Sequence, residues 1–208
     1  MHYDENCSKC ERLSDFLKQT KAKYPTYFCK PVPSFGDQCS NFLIVGLAPG
    51  MHGANQTGRP FTGDYAGILL YETLYQFGFS SQKVSEYGDG LKLINCKITN
   101  AVKCLPPENK PTTHEINTCN TYLREEISDL PSNSIILALG AIAHNAILKA
   151  LNLKKADYKF AHGCRHELIN GLILYDSYHC SRYNTQTRRL TETMFKEVFS
   201  LITKERET

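Results

Sequence analysis

An α/β fold, with a parallel sheet lying between helices, is the class this sequence predicts, and three observations carry it. Apolar runs of strand length alternate with segments of helical periodicity along the chain. The run Phe42 to Gly46 is apolar throughout and ends in glycine, which suits a strand covered on both faces. Length and composition agree: 208 residues with 41% hydrophobic content suffice for one domain with a core of its own. Alternation of this kind implies helical crossovers between strands that run parallel. Ligands gather beyond the carboxyl ends of such strands, and Gly46, Asn100, Gly140 and Ser177 fall near those ends.

Element by element, Glu11 to Lys23 reads as a first helix with Leu13, Phe16 and Leu17 on one face. Pro25, Pro31 and Pro33 make the next stretch of chain an extended connection. Phe42 to Gly46 is the first strand, and Asp64 precedes a second helix starting at Tyr65. Ile94 to Val102 is the second strand. A third helix begins at Thr113, where Thr-His-Glu supplies a cap and an acidic first turn. Ser134 to Gly140 is the third strand, with a helix over 141–151 behind it. Gly171 to Asp176 is the fourth, and Thr187 to Lys204 forms the closing helix.

The formal charge of +3 excludes a strong overall field for nucleic acid but leaves room for a local basic groove. Residues 1–9 are polar and unlike a signal peptide, and no apolar run approaches the ~20 residues that span a bilayer. A soluble intracellular protein, cytoplasmic or nucleoid-associated and monomeric, is therefore expected. Nine cysteines in such a chain point to thiols and metal ligation, not disulfides. Cys29, Cys39, Cys96, Cys164 and Cys180 lack ligand-like spacing and read as ordinary thiols.

Two features carry chemistry. The first is the loop from Gly46 to Asp64, GLAPGMHGANQTGRPFTGD, whose glycines allow close approach to a base or phosphate. It holds neither the Gly-Lys-Ser/Thr of a P-loop nor the Gly-x-Gly-x-x-Gly of a dinucleotide site. The second is the set Cys7, Cys10, Cys104 and Cys119. Four thiolates suffice for zinc or for an iron–sulfur cluster; the close first pair favours zinc slightly, and the wide gap between Cys104 and Cys119 is not a zinc-knuckle spacing.

That loop, the segment ITNAVKCLPPENKP over 98–111 and the segment SYHCSRYNT over 177–185 together resemble the uracil-DNA glycosylase superfamily, family 5 most and family 4 next. The resemblance runs in order from Cys7 to about Thr191. It implies a three-layer α/β/α sandwich around a four-stranded, mainly parallel sheet, excision of uracil and related deaminated bases from DNA, and a [4Fe–4S] cluster on Cys7, Cys10, Cys104 and Cys119. The loop start carries Leu47 and Ala48 where the best-known uracil enzymes have an acidic residue, so the acidic role passes to Asp64.

In this reading Asp64, Asn100 and His179 are catalytic. Asp64 faces the cationic sugar and orients or deprotonates water, although an Asp before a helix is also an ordinary N-cap. Asn100 reads the base edge and His179 donates to its carbonyl oxygen, with Phe61 stacking and Gly46 and Ala48 lining the base site. Arg59, Ser181, Arg182, Tyr183, Arg188 and Arg189 are assigned to DNA, Tyr183 as the residue that fills the vacated base position. The resembling family has proline after the histidine; Cys180 stands here. The competing readings are a silent lesion-binding relative and a zinc-stapled interaction module.

Overall fold

A computed structural model describes residues 3–206. The elements run α1 (Glu11–Lys23), β1 (Phe35–Gly36), β2 (Phe42–Gly46), α2 (Ala54–Thr57), α3 (Tyr65–Gln76), β3 (Lys97–Asn100), α4 (Thr113–Ser128), β4 (Ile135–Leu139), α5 (Ala141–Ala150), β5 (Arg165–Glu167), β6 (Ile173–Ser177), α6 (Arg182–Gln186) and α7 (Glu192–Arg206). They build one six-stranded sheet in the order β1-β3-β2-β4-β6-β5. The expected four strands are the inner ones, β3, β2, β4 and β6, all parallel. The expectation of four strands in total is corrected by β1 and β5, which pair antiparallel on the two outer edges. Two or three residues long, these edges are too short to leave a periodic signal, and β5 is exposed and charged.

The inner strands separate two apolar layers by alternation. Phe42 and Ile44 of β2 face Leu70, Leu74, Phe195 and Phe199 of α3 and α7. Leu43 and Val45 face Leu123, Ile127, Ala143 and Ile147 of α4 and α5. A third, smaller cluster joins Leu13 and Leu17 of α1 to Val102, Leu105 and Tyr122. Helix α4 starts where Thr112 and Glu115 form a reciprocal capping box, which satisfies two otherwise orphaned backbone donors. Among the described residues no helix is long and apolar enough to cross a membrane.

The closing helix is also corrected. Ser181 caps the short α6 by accepting from the Asn184 N–H at 3.4 Å. Arg188 then takes a left-handed φ of +56°, and fully buried Leu190 anchors the turn. Helix α7 begins only after Thr191, whose hydroxyl accepts from the Met194 N–H at 3.2 Å. The helix expected over Thr187 to Lys204 therefore starts only at Glu192, and the residues from Thr187 to Thr191 form the turn that joins it to α6.

Candidate active site

The carboxyl ends of β2, β3 and β6 open into a cleft of about 430 Å³. Its walls include Ala48, Phe61, Asp64, Asn100, His179, Ser181 and Arg182. Residues from three distant stretches of sequence thus share one cavity. A larger open groove of about 1000 Å³ lies elsewhere, around Pro131, Asn152 and Ile169. It adjoins the amino ends of β4 and β6, with Arg124 its one charged wall residue, and offers no acid–base pair.

Strand pairing brings Gly46 level with Asn100. A Cβ on Gly46 would stand 2.4 Å from the Asn100 Oδ1 and 2.6 Å from the Phe61 ring. Glycine here is what lets the amide and the aromatic face meet over the strand end. Asn100 is 3% exposed, and its Oδ1 has no hydrogen-bond partner. A buried amide oxygen left unpaired costs about 1–3 kcal/mol, so it is held for something that enters the cleft. Phe61 is also buried, with a left-handed φ of +56° that is rare for a bulky residue; strain of this kind gathers at binding sites.

Asp64 performs two tasks with its two oxygens. Oδ1 accepts the Gly67 N–H at 2.9 Å and caps α3. Oδ2 turns back to the glycine-rich loop, where a Cβ on Gly53 would lie 2.6 Å from it and one on Gly50 3.6 Å. Burial pushes its pKa up, and the amides of Gly67 and Ala66 only partly oppose that. The result is a desolvated carboxylate on the cleft wall.

His179 lies two residues beyond the end of β6 and stacks on Phe61, ring centroids 5.8 Å apart at 30°. Asn184 Nδ2 donates to its carbonyl at 2.8 Å and fixes the loop. Burial lowers its pKa to about 4, so the imidazole is neutral at physiological pH. Cys180, which stands where the resembling family has proline, is wholly buried.

Around the rim, Ser181 caps α6 and touches the cleft. Arg182 sits 5.8 Å over the exposed Tyr65 ring, and Tyr183 protrudes with 71% of its surface exposed. Arg188 and Arg189 are exposed on the same side of the chain, with Arg189 4.7 Å over Tyr178. Arg59 is different. It pairs with Asp89 at 2.5 Å, stacks 4.5 Å over Phe35 and has a side chain only 17% exposed. These contacts tie it to the 85–89 segment and to Phe35. Sequence reasoning missed Tyr65, Leu47, Ala54 and Asn109 on the cleft wall. Only Asn109 carried a signal, as an asparagine in a proline-rich loop with φ of +57°.

Lys103 adjoins Cys104 in sequence. Its backbone N–H does donate to the Cys119 Sγ at 3.2 Å, but its ammonium is buried against Glu126 at 2.7 Å. No lysine lines the cleft.

Cys7, Cys10, Cys104 and Cys119 converge on a small apolar cavity of about 20 Å³ beside Leu13, Val102 and Tyr122. Burial raises the Cys104 thiol, and the charges of Cys119, Cys7 and Cys10 add to the rise, so the four face one another. Among the described residues, no three of these sulfurs all lie within 4.8 Å of one another. A lone tetrahedral zinc with bonds of about 2.3 Å would hold its sulfurs about 3.8 Å apart. Four thiols around one cavity suit a thiolate-bound metal centre.

Fold and cleft together define an α/β protein with an aromatic ring, a buried amide, an imidazole and a desolvated carboxylate on the walls of one cavity. Comparison narrows the class. The sequence pattern of the uracil DNA glycosylase superfamily matches residues 33–203. The chain is 44% identical to the type-5 uracil-DNA glycosylase of Thermus thermophilus, over 92% of this chain and 90% of that one. It is 40% identical to the type-5 enzyme of Pyrobaculum aerophilum, over 93% and 86%. Against the type-4 uracil-DNA glycosylase of Archaeoglobus fulgidus the identity is 29%, over 98% and 92%. The crystal structure of SMUG2 from Pedobacter heparinus shares the fold, with a TM-score of 0.52 at 14% identity, covering 100% of this chain and 94% of that one. The chain belongs to the uracil DNA glycosylase superfamily.

Proposed function

We infer that this protein is a type-5 uracil-DNA glycosylase acting in base excision repair. It hydrolyses the N-glycosidic bond of uracil, and of related deaminated bases, in DNA. The observation that carries the reading is the buried, unpartnered Asn100 amide in the same cleft as Asp64 and His179.

The base must first leave the duplex, and Tyr183 on the exposed α6 is shaped to fill the gap. The extruded ring stacks on Phe61 while Asn100 bonds its edge. As the bond to the sugar breaks, positive charge develops on the sugar and negative charge on the base. Ionised Asp64 stabilises the first and orients the attacking water; His179, neutral at its lowered pKa, donates a hydrogen bond to the base oxygen. Water is the nucleophile, in keeping with a cleft wall that carries no lysine amine for a Schiff base. Arg182, Arg188 and Arg189 hold the phosphates, and Ser181 the backbone beside them.

Cys7, Cys10, Cys104 and Cys119 would hold a [4Fe–4S] cluster that ties the amino-terminal segment to the 104–119 region. Its contribution is structural: it sits outside the cleft, and no step of the hydrolysis needs an electron. Brown protein with iron and labile sulfide supports this; colourless protein with stoichiometric zinc on the cysteines overturns it.

The test of function is a panel of oligonucleotides carrying uracil, hydroxymethyluracil, hypoxanthine or xanthine, scored for alkali-labile abasic sites. Uracil release is expected. Release of no base from any substrate would remove the enzyme reading.

A further inference from the structure

A second cluster of donor atoms lies on the far side of β6, away from the cleft and the cysteines. His144 on α5, His166 on β5 and Asp176 on β6 bring one ligand atom each to within 4.8 Å of one another. Asp176 is fully buried, His144 1% exposed, and the His166 side chain 10% exposed. The His144 Nδ1 lies 2.7 Å from the Asp176 Oδ1, and the His166 Nε2 lies 3.1 Å from Oδ2.

The protonation of His144 is constrained from its other side. Its Nε2 stands 3.0 Å from the Tyr158 carbonyl, which only accepts, so Nε2 carries a proton. In a neutral ring Nδ1 then offers a lone pair, aimed at a carboxylate oxygen. Either a second proton on this ring or a cation between the two groups satisfies that meeting. His166 directs its Nε2 at the same carboxylate, and the Ala161 N–H donates to Oδ2 at 3.3 Å.

The geometry points to a divalent transition-metal site, zinc by donor type, held by His144 Nδ1, His166 Nε2 and the Asp176 carboxylate. Two donors each about 2.1 Å from a tetrahedral zinc stand about 3.4 Å apart, so the nitrogen–oxygen spacings of 2.7 and 3.1 Å need to open by only a few tenths of an ångström to admit the ion. Imidazole and carboxylate donors suit zinc. A ligating histidine commonly donates its other ring N–H to a backbone carbonyl, the part Tyr158 plays for His144. The partly exposed edge of His166 gives the ion a way in.

An ion here ties α5, β5 and the 158–161 turn to β6, three residues before His179. The neighbouring ring of His162 accepts the Tyr178 N–H at 3.1 Å and stacks on Tyr178 at 5.0 Å, so the same region holds the backbone that leads into the catalytic histidine. The role is one of positioning and stability; none of the three ligands lines the cleft.

The test is zinc-edge X-ray absorption on cluster-loaded protein given one equivalent of zinc after a chelator wash, a signal the iron does not obscure. The expected result is one tightly held zinc with nitrogen and oxygen ligands near 2.0–2.1 Å and no sulfur near 2.3 Å, lost in His166→Ala, whose edge position tolerates truncation. Zinc coordinated by sulfur, or zinc binding unchanged in His166→Ala, would overturn the assignment. A nitrogen-15 NMR spectrum of the wild-type protein supplies an independent check. In zinc-supplemented protein His144 should carry a proton on Nε2 alone, and protons on both ring nitrogens would mean that a proton, not a metal, joins it to Asp176.

Discussion

Asp64 shows how one side chain serves stability and chemistry with separate oxygens. Its raised pKa means that ionisation costs more in the folded chain than in the unfolded one. The protonated form therefore stabilises below the unfolded value of 3.8, and that contribution is lost as pH rises through the folded pKa. Asp64→Asn keeps an N-cap and removes the buried charge, so at neutral pH its thermal midpoint should equal or exceed that of the wild type, the difference shrinking in acid. A midpoint several degrees lower at pH 7 would contradict the desolvated carboxylate. Asn100 predicts selectivity: Asn100→Asp should shift the ratio of uracil to hypoxanthine release, read by single-turnover kinetics on both substrates, and an unchanged ratio would remove Asn100 from base reading. For His179 the lowered pKa of about 4 places any loss of the neutral donor well below physiological pH. His179→Ala should lower the maximal rate of excision at neutral pH by about 10²–10³-fold, read by single-turnover kinetics, and a rate near that of the wild type would remove His179 from the mechanism.

At the scale of elements, α6 and the turn after it form the DNA-facing edge. If Arg182, Arg188 and Arg189 each neutralise one phosphate, the triple alanine variant should flatten the logarithmic salt dependence of DNA binding by about 2 to 3. A slope unchanged from wild type would make them solvated surface charges. This edge was only half legible in the sequence. Ser181 and the arginines were visible as a basic segment, but the periodicity ran from Thr187 onward as one helix because the break is made by a left-handed arginine, which no pattern announces. The pairing of Arg59 was hidden for a different reason. In the loop it resembles a free cation, and its partner Asp89 lies thirty residues on, with nothing local to indicate the pairing. The edge strands β1 and β5 were invisible because strands of two and three residues carry no periodicity.

Across the whole molecule the legible part is the inner sheet. Phe42–Gly46 and Ile135–Leu139 are apolar on both faces, so composition alone marks them, while their parallel neighbours Lys97–Asn100 and Ile173–Ser177 carry polar residues toward the carboxyl ends that locate the cleft. Asp64, Asn100 and His179 could be placed near strand ends from sequence, but their sharing of one cavity depends on Gly46 standing level with Asn100, a register no single segment encodes. Phe199 is the aromatic hub that joins α7 to the sheet, 5.2 Å from Phe195, 6.1 Å from Phe42 and 5.7 Å from Phe77. Phe199→Ala should cost about 3–5 kcal/mol in urea unfolding; a loss under about 1 kcal/mol would show that the layer collapses around the gap.

The central claim is that one desolvated carboxylate at the rim of the sheet drives departure of an extruded uracil. Single-turnover excision by Asp64→Asn, measured beside its affinity for uracil-containing DNA, tests it most directly. The account predicts a rate lowered by at least about 100-fold with affinity within a few-fold of wild type. A rate close to that of the wild type would contradict it.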